Sequence, residues 1–174
     1  MTVATVDLVS DVHRNVTKVI DAGRALGVDV APRSCPQGAK TAQDAADAIG
    51  VSVGQIVKSL VFGVETGDPD ADPELVMAYV SGSNRLDERK LAAAAGATTC
   101  TRVDADAVRS STGYPIGGVP PFGHDNPLRI FIDPDLLQYE EVWAAAGTWN
   151  DVFGIAPHRL AEVTGGAVVD LRRD

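Results

Sequence analysis

Val57-Lys58-Ser59-Leu60-Val61-Phe62-Gly63-Val64 reads as a β-strand, with one residue that breaks the pattern of a buried one. Its β-branched and aromatic side chains suit a pleated surface. Alternation puts Val57, Ser59 and Val61 on one face and Lys58, Leu60 and Phe62 on the other. A lysine sharing its face with Leu and Phe either reaches solvent at a sheet edge or serves a pocket. The next nine residues, from Glu65 to Pro73, form an acidic, proline-bearing loop, and Leu75 to Val80 is the partner strand of a hairpin. Antiparallel neighbours of this kind point to a mixed, largely antiparallel sheet rather than a βαβ succession.

On the N-terminal side, Val12, Val16, Val19, Ile20 and Leu26 recur at helical spacing, with Asp11 as the expected N-cap and Gly27 as the stop. Val28 to Val30 reads as a short strand, followed by a loop through Pro32, Pro36 and Gly38. Thr41 and Asp44 have capping-box spacing for a short Ala-rich helix ending at Gly50, and Ser52 with Gln55 suggests one further turn. On the C-terminal side the pattern predicts a helix over Leu86–Gly96 and a strand over Ala97–Arg102. A short helix follows, capped at Asp104 or Asp106 and closed at Gly113. Strands are expected over Leu128–Asp133, Val142–Ala146, Val152–Ile155 and Ala167–Leu171, with a helix opened by Pro157 before the last. The expectation is therefore an α+β fold of about eight short strands and five helices. It forms one domain over residues 1–174, with the helix in 1–27 packed on it.

The chain has 174 residues, 45% hydrophobic and 22% charged, enough for a sizeable core. No apolar run is long enough to cross a bilayer, and Asp7, Asp11 and His13 interrupt any signal-peptide pattern, so a cytoplasmic protein is expected. A net charge of −9 argues against wrapping duplex DNA or RNA through a broad basic face, but leaves room for capture of an RNA terminus. Cys35 and Cys100 have no metal-ligand spacing. Cys100 reads as a small buried hydrophobe and Cys35 as an inert surface position.

The second unusual stretch is Ser111-Thr112-Gly113-Tyr114-Pro115-Ile116-Gly117-Gly118-Val119-Pro120-Pro121-Phe122-Gly123, with four glycines and three prolines in thirteen residues. Glycine admits close approach and proline fixes φ, so such a loop is stiff and holds its remaining amides at set positions. Main-chain donors held in this way suit a developing oxyanion. Each candidate side chain also has a plainer reading. Asp133 is a natural helix N-cap before Pro134, Thr112 a turn-stabilising hydroxyl, and His124 a solvent-exposed loop histidine. No Ser-His-Asp order, zinc spacing, P-loop or dinucleotide fingerprint is present.

Several motifs occur in one order. They are Thr41-Ala42-x-x-Ala45-Ala46 with Gly50-Val51, then Gln55 to Phe62, then Ser111 to Gly123 as quoted above, and Ile132-Asp133. Together they resemble the YbaK/ProX family, the editing domain related to the insertion domain of bacterial prolyl-tRNA synthetases. The resemblance implies a mixed, partly barrel-like sheet with surrounding helices. It also implies a stand-alone aminoacyl-tRNA deacylase that needs no metal or organic cofactor. The partners it implies are the tRNA acceptor end and a synthetase, with no role for membrane or duplex DNA. Lys58 falls on the family's pocket lysine, and Gly117 to Pro121 on its GxxxP loop. Lys58 and the amides of Gly117, Gly118 and Val119 are then the expected catalytic groups, and Ser59, Thr112, Pro121, Phe122, Gly123 and Asp133 the expected substrate contacts. No side-chain nucleophile stands out, so water or the substrate's own ribose hydroxyl is the expected attacking group. Ala31 to Lys40 lacks an aromatic position that some members carry, which leaves the amino acid unassigned. The rival readings are a non-catalytic module that docks a tRNA end or a synthetase, and a hydrolase of small esters.

Overall fold

A computed structural model describes residues 3–174, with side chains from Arg14 onward. The hairpin read from the sequence is its centre. β2 (Val57–Glu65) pairs antiparallel with β3 (Glu74–Ser81), with Lys58 opposite Val80. β4 (Thr99–Arg102) adds to the far half of β2, while β5 (Arg129–Ile132) and β8 (Ala167–Val168) extend the other side in parallel, giving the order β4-β2-β3-β5-β8. A second, antiparallel sheet has the order β1-β7-β6, from Arg33–Ser34, Asp151–Ile155 and Val142–Ala145. A bridge between Ile56 and Trp143 links the two sheets. The result is α+β and partly barrel-like, without closure.

Pleating divides the interior as the alternation of β2 requires. Val57 and Val61 join Met77, Tyr79, Ile132 and Phe153 in the main core. Phe62 and Val64 face the other way, into a layer with Val76, Val80, Leu91 and Leu171. Helix α3 (Glu88–Ala94) covers that layer, and its N-cap Asp87 accepts from the backbone amides of Arg89 and Lys90. Helix α2 (Ala42–Ile49) closes a third cluster around Ile56 and Trp143, and the Thr41–Asp44 capping box forms in full.

Helix α1 runs Val3–Ala25, so it begins before the expected cap. The side chains of Asp11, Val12 and His13 lie outside the described residues. Val16 and Val19 are buried, and Asn15 donates to Gly147 O at 3.2 Å, which ties the helix to the β6–β7 turn. Val28 to Val30 is not a strand. Both valines are buried in the main core, but the segment has no ladder partner and packs by its side chains beneath α1, where a Cβ on Gly23 would stand 2.6 Å from Val30. The expected last strand shortens to Ala167–Val168, after which Arg172 bridges to Leu86. Helix α4 (Ala105–Thr112) takes Asp104 as its cap and Gly113, at φ +85°, as its stop. Helix α5 (Pro157–Thr164) follows β7 as expected. Among the described residues no helix is long and apolar enough to cross a membrane.

Candidate functional site

The hairpin leaves part of one edge of β2 unpaired. β4 reaches only as far as Phe62, and the bridge to the second sheet is at Ile56, just before the strand begins. Residues 57–61 thus lack a ladder partner on that side, and a cavity of about 350 Å³ occupies the gap. Lys58 and Ser59 line it from β2, Thr41 and Ala45 from the α2 region, and Gly117 and Val119 from the Gly/Pro loop. A larger depression of about 690 Å³, walled by Gly38, Asp44 and Asp47, shares Lys40 with it. That depression includes neither Lys58 nor the loop amides, so the smaller cavity is the candidate site.

Lys58 is half-buried and its ammonium donates to the carbonyl of Asn84. An ammonium has three N–H donors, so two remain for a ligand. Burial holds its pKa below the usual lysine value; the carboxylate of Asp133 works in the opposite direction, and Arg85 adds to the depression. Asp133, 1% exposed, does not bond to Lys58 itself. It accepts from Ser81 N (3.1 Å), Asn84 Nδ2 (2.8 Å) and Asp135 N (2.9 Å). It therefore caps the 3-10 turn at Pro134–Gln138 and fixes the Asn84 loop that receives the lysine. Asp133, expected as a substrate contact, is not among the residues that line the cavity.

The loop is stiff for reasons beyond its prolines. Tyr79, whose hydroxyl burial keeps protonated, donates to Pro121 O at 2.5 Å. His124 Nε2 lies 2.7 Å from Pro120 O, so this histidine holds the loop rather than standing in solvent, and burial lowers its pKa. The two prolines lack N–H groups but supply the carbonyls by which the loop is pinned. Gly118 donates its own N–H to Pro115 O at 2.9 Å, which removes that amide from the set of free donors. Gly117 N and Val119 N have no hydrogen-bond partner among the described residues. Gly117 is at φ +85°, a region in which L side chains are strained.

The remaining expected contacts lie behind the cavity. Thr112 is fully buried and its hydroxyl donates to Val108 O and accepts from Tyr114 N, the turn role of its plainer reading. Phe122 stacks on Phe153 at 5.7 Å in the core. Gly123, at φ +77°, turns the chain against α1, where a Cβ would meet Ala22 at 2.7 Å. Pro121 is buried and serves through its carbonyl. None of the four lines the cavity. Cys35 is also corrected: it is buried, at 1% exposure, and burial and Asp151 push its thiol pKa up.

The residues that sequence reasoning missed are two tryptophans. Trp143 of β6 lines the cavity at 8% exposure, with its Nε1 unpartnered, and Ser59 Oγ beside the same cavity is likewise buried without a partner. Proteins seldom leave such groups unpaired, so both are candidates for ligand or water contact. Trp149, at the rim, is 54% exposed. It was visible in the sequence as an aromatic residue within the polar turn Gly147–Asp151. Among the described residues no group of three or more His, Cys, Asp or Glu is placed to hold a metal ion.

Main-chain amides without a partner among the described residues and a braced ammonium thus line one small cavity at an open sheet edge. The chain belongs to the aminoacyl-tRNA editing domain family, whose model matches residues 36–163. A solved structure titled "Crystal structure of a putative trans-editing enzyme for prolyl tRNA synthetase" superposes with a TM-score of 0.83 at 40% identity, covering 92% of this chain and 98% of that one. An Enterococcus faecalis protein named "Putative Cys-tRNA(Pro)/Cys-tRNA(Cys) deacylase EbsC" is 27% identical over 132 residues, 75% of this chain and 76% of that one. The proline–tRNA ligase of Desulforamulus reducens is 34% identical over 100 residues, which cover 58% of this chain but 16% of the ligase.

Proposed function

We propose that this protein hydrolyses, in trans, the ester joining a wrongly attached small amino acid to the 3′ end of a tRNA. The observation that carries the reading is the pairing, at one 350 Å³ cavity, of the free amides of Gly117 and Val119 with the half-buried ammonium of Lys58. In ester hydrolysis the attacking oxygen adds to the carbonyl carbon and negative charge gathers on the carbonyl oxygen. The ester bond then breaks, and its ribose oxygen takes up a proton. Fixed amides stabilise the charged oxygen without reorganising, and loss of one such donor costs about 10²–10³ in rate. Lys58 uses its two spare N–H groups on the ribose or the terminal phosphate. Ser59 contacts the substrate and is not a nucleophile, since no base bonds to its hydroxyl. Water therefore attacks, with the neighbouring ribose hydroxyl able to help by holding that water or taking part in the proton transfer.

The names borne by relatives support a small amino acid and a tRNA charged by, or related to, prolyl-tRNA synthetase. A synthetase supplies a second grip on the tRNA, which suits a chain whose net charge is −9. Work on charged tRNA places the protein in the cytoplasm, and we treat residues 1–174 as one editing domain with α1 packed on it. The test is deacylation measured across a panel of mischarged tRNAs, with Lys58→Ala and Lys58→Arg beside wild type. Lys58→Ala should lose about 10²-fold or more in kcat/KM, with Lys58→Arg intermediate, because an unpaired substrate charge is left in a low-dielectric site. Absence of hydrolysis above buffer on every tRNA defeats the activity. Full activity of Lys58→Ala defeats the site.

A further inference from the structure

We infer that Trp149 is a stacking platform for the nucleobase of the 3′-terminal nucleotide, an inference that rests on the function proposed above. Four large hydrophobic residues are exposed among those described, and two of them, Trp149 and Ile116, flank the mouth of the cavity. The exposure of Trp149 does not come from a loose backbone. Ala39 N donates to Trp149 O at 3.1 Å, and Cys35 N donates to Asn150 O at 2.6 Å. Thr148 Oγ1 accepts from Asn150 N and donates to Asp151 Oδ2 at 2.6 Å. The turn is held on both sides, yet among the described residues the indole it presents stacks on no other ring and carries no cation.

Its position relative to the reacting group decides the occupant. A Cβ on Gly117 would stand 3.8 Å from the Cβ of Trp149, so the indole starts beside the amide assigned to the scissile carbonyl. On an aminoacyl nucleotide, the ester and the base hang from one ribose. When the ester sits at Gly117, the base must leave the cavity within one nucleotide's reach, which is where the indole and Ile116 lie. A flat π-face on a fixed backbone suits any base and reads none of them, and stacking of this kind contributes mostly to affinity. It also grips RNA without positive charge, which this acidic chain has little of.

The experiment compares wild type, Trp149→Ala and Trp149→Phe in deacylation of a mischarged tRNA. Uncharged RNA microhelices, ending either in adenosine or in an abasic 3′ nucleotide, serve as competitors. Trp149→Ala should raise KM roughly 5- to 100-fold with kcat little changed, and Trp149→Phe should recover most of the loss. Wild type should bind the adenosine-ended competitor more tightly than the abasic one, and Trp149→Ala should bind the two equally. Equal KM for wild type and Trp149→Ala overturns the platform while leaving the deacylase intact, as does a Trp149→Ala defect that appears only when a synthetase is added. The latter result reassigns the indole to a protein partner. If wild type deacylates no tRNA, the proposed function fails, and the competitor pair, followed directly by the part of the tryptophan fluorescence change that Trp149→Ala abolishes, still decides whether the indole meets a base.

Discussion

Replacing Asp133 tests the chain of contacts from the 3-10 turn to the lysine. Its carboxylate is buried and accepts three bonds, from Ser81 N, Asn84 Nδ2 and Asp135 N. In Asp133→Ala these partners fare differently. Asn84 Nδ2 keeps its 2.8 Å bond to Asp135, and the amide of Asp135, at the start of a short turn, can turn to water. Ser81 N is fully buried and becomes an orphan. One orphaned buried donor costs about 1–3 kcal/mol and a lost cap about 1, so the loss of stability is roughly 2–4 kcal/mol. For a chain of this size that lowers Tm by roughly 5–15 °C. Asp133→Asn is isosteric but should not rescue, because an amide nitrogen cannot accept from the donors that both carboxylate oxygens now serve. The catalytic consequence is a matter of sign. Asp133 raises the Lys58 pKa against burial, so removing its charge drives that pKa further down. If Lys58 acts as an ammonium, activity falls as pH rises through its pKa, and the alkaline limb of the kcat/KM profile must move to lower pH in Asp133→Asn. Calorimetry gives the first quantity and a pH–rate series the second. A variant with wild-type Tm and an unmoved alkaline limb refutes the reasoning.

Gly118→Ala should cut kcat/KM by roughly 10- to 100-fold: its Cβ would stand 2.9 Å from Thr148 Cα and 3.1 Å from Gly147 O, all backbone, so the loop and its amides must shift. Steady-state deacylation beside a thermal melt separates this displacement from simple unfolding. His124, whose pKa burial depresses, binds fewer protons folded than unfolded, so stability should be lost as pH falls from about 6.5 toward the lower folded value. Urea titrations from pH 7 to pH 5 should show that loss in wild type and a flatter dependence in His124→Gln, which can still donate to Pro120 O.

The parts legible in the sequence are those governed by local rules. Period-two alternation located β2 and β3, the Thr41–Asp44 spacing located α2, and Asp104 and Gly113 bracketed α4 because caps are chosen by residues within one turn. Val28–Val30 misled because its β-branched residues fit a strand equally well as a buried extended segment, and only a partner strand distinguishes the two. The site followed the same division. Lys58 and the glycines of the Gly/Pro loop stood out as anomalies of composition, whereas Ser59 and Val119 were expected at the site only through the family resemblance. Gly118 was not distinguishable from Gly117 until the Pro115 carbonyl was seen to take its amide. Trp143 reaches the cavity from a strand 85 positions after Lys58, through a bridge at Ile56 that no local pattern encodes.

The open edge of β2 explains why the cavity is there at all. A strand edge left bare is an aggregation liability, usually blunted by charge or covered. Here β4 stops at Phe62, β6 bridges only at Ile56, and the gap is roofed by a loop whose stiffness comes from Pro120 and Pro121 held through their carbonyls by His124 and Tyr79. The roof resists collapse onto the strand, because its prolines resist rearrangement and their carbonyls are held by Tyr79 and His124. Unpaired strand residues below and unpaired amides above thus remain facing a common space. That space is bridged by one lysine whose position depends on Asn84 and, behind it, on Asp133. On the proposed reading, an enzyme assembled in this way needs little positive charge of its own, since it grips the substrate mostly with neutral amides and an indole face. This is how a chain of net charge −9 can bind the end of an RNA without binding the rest of it.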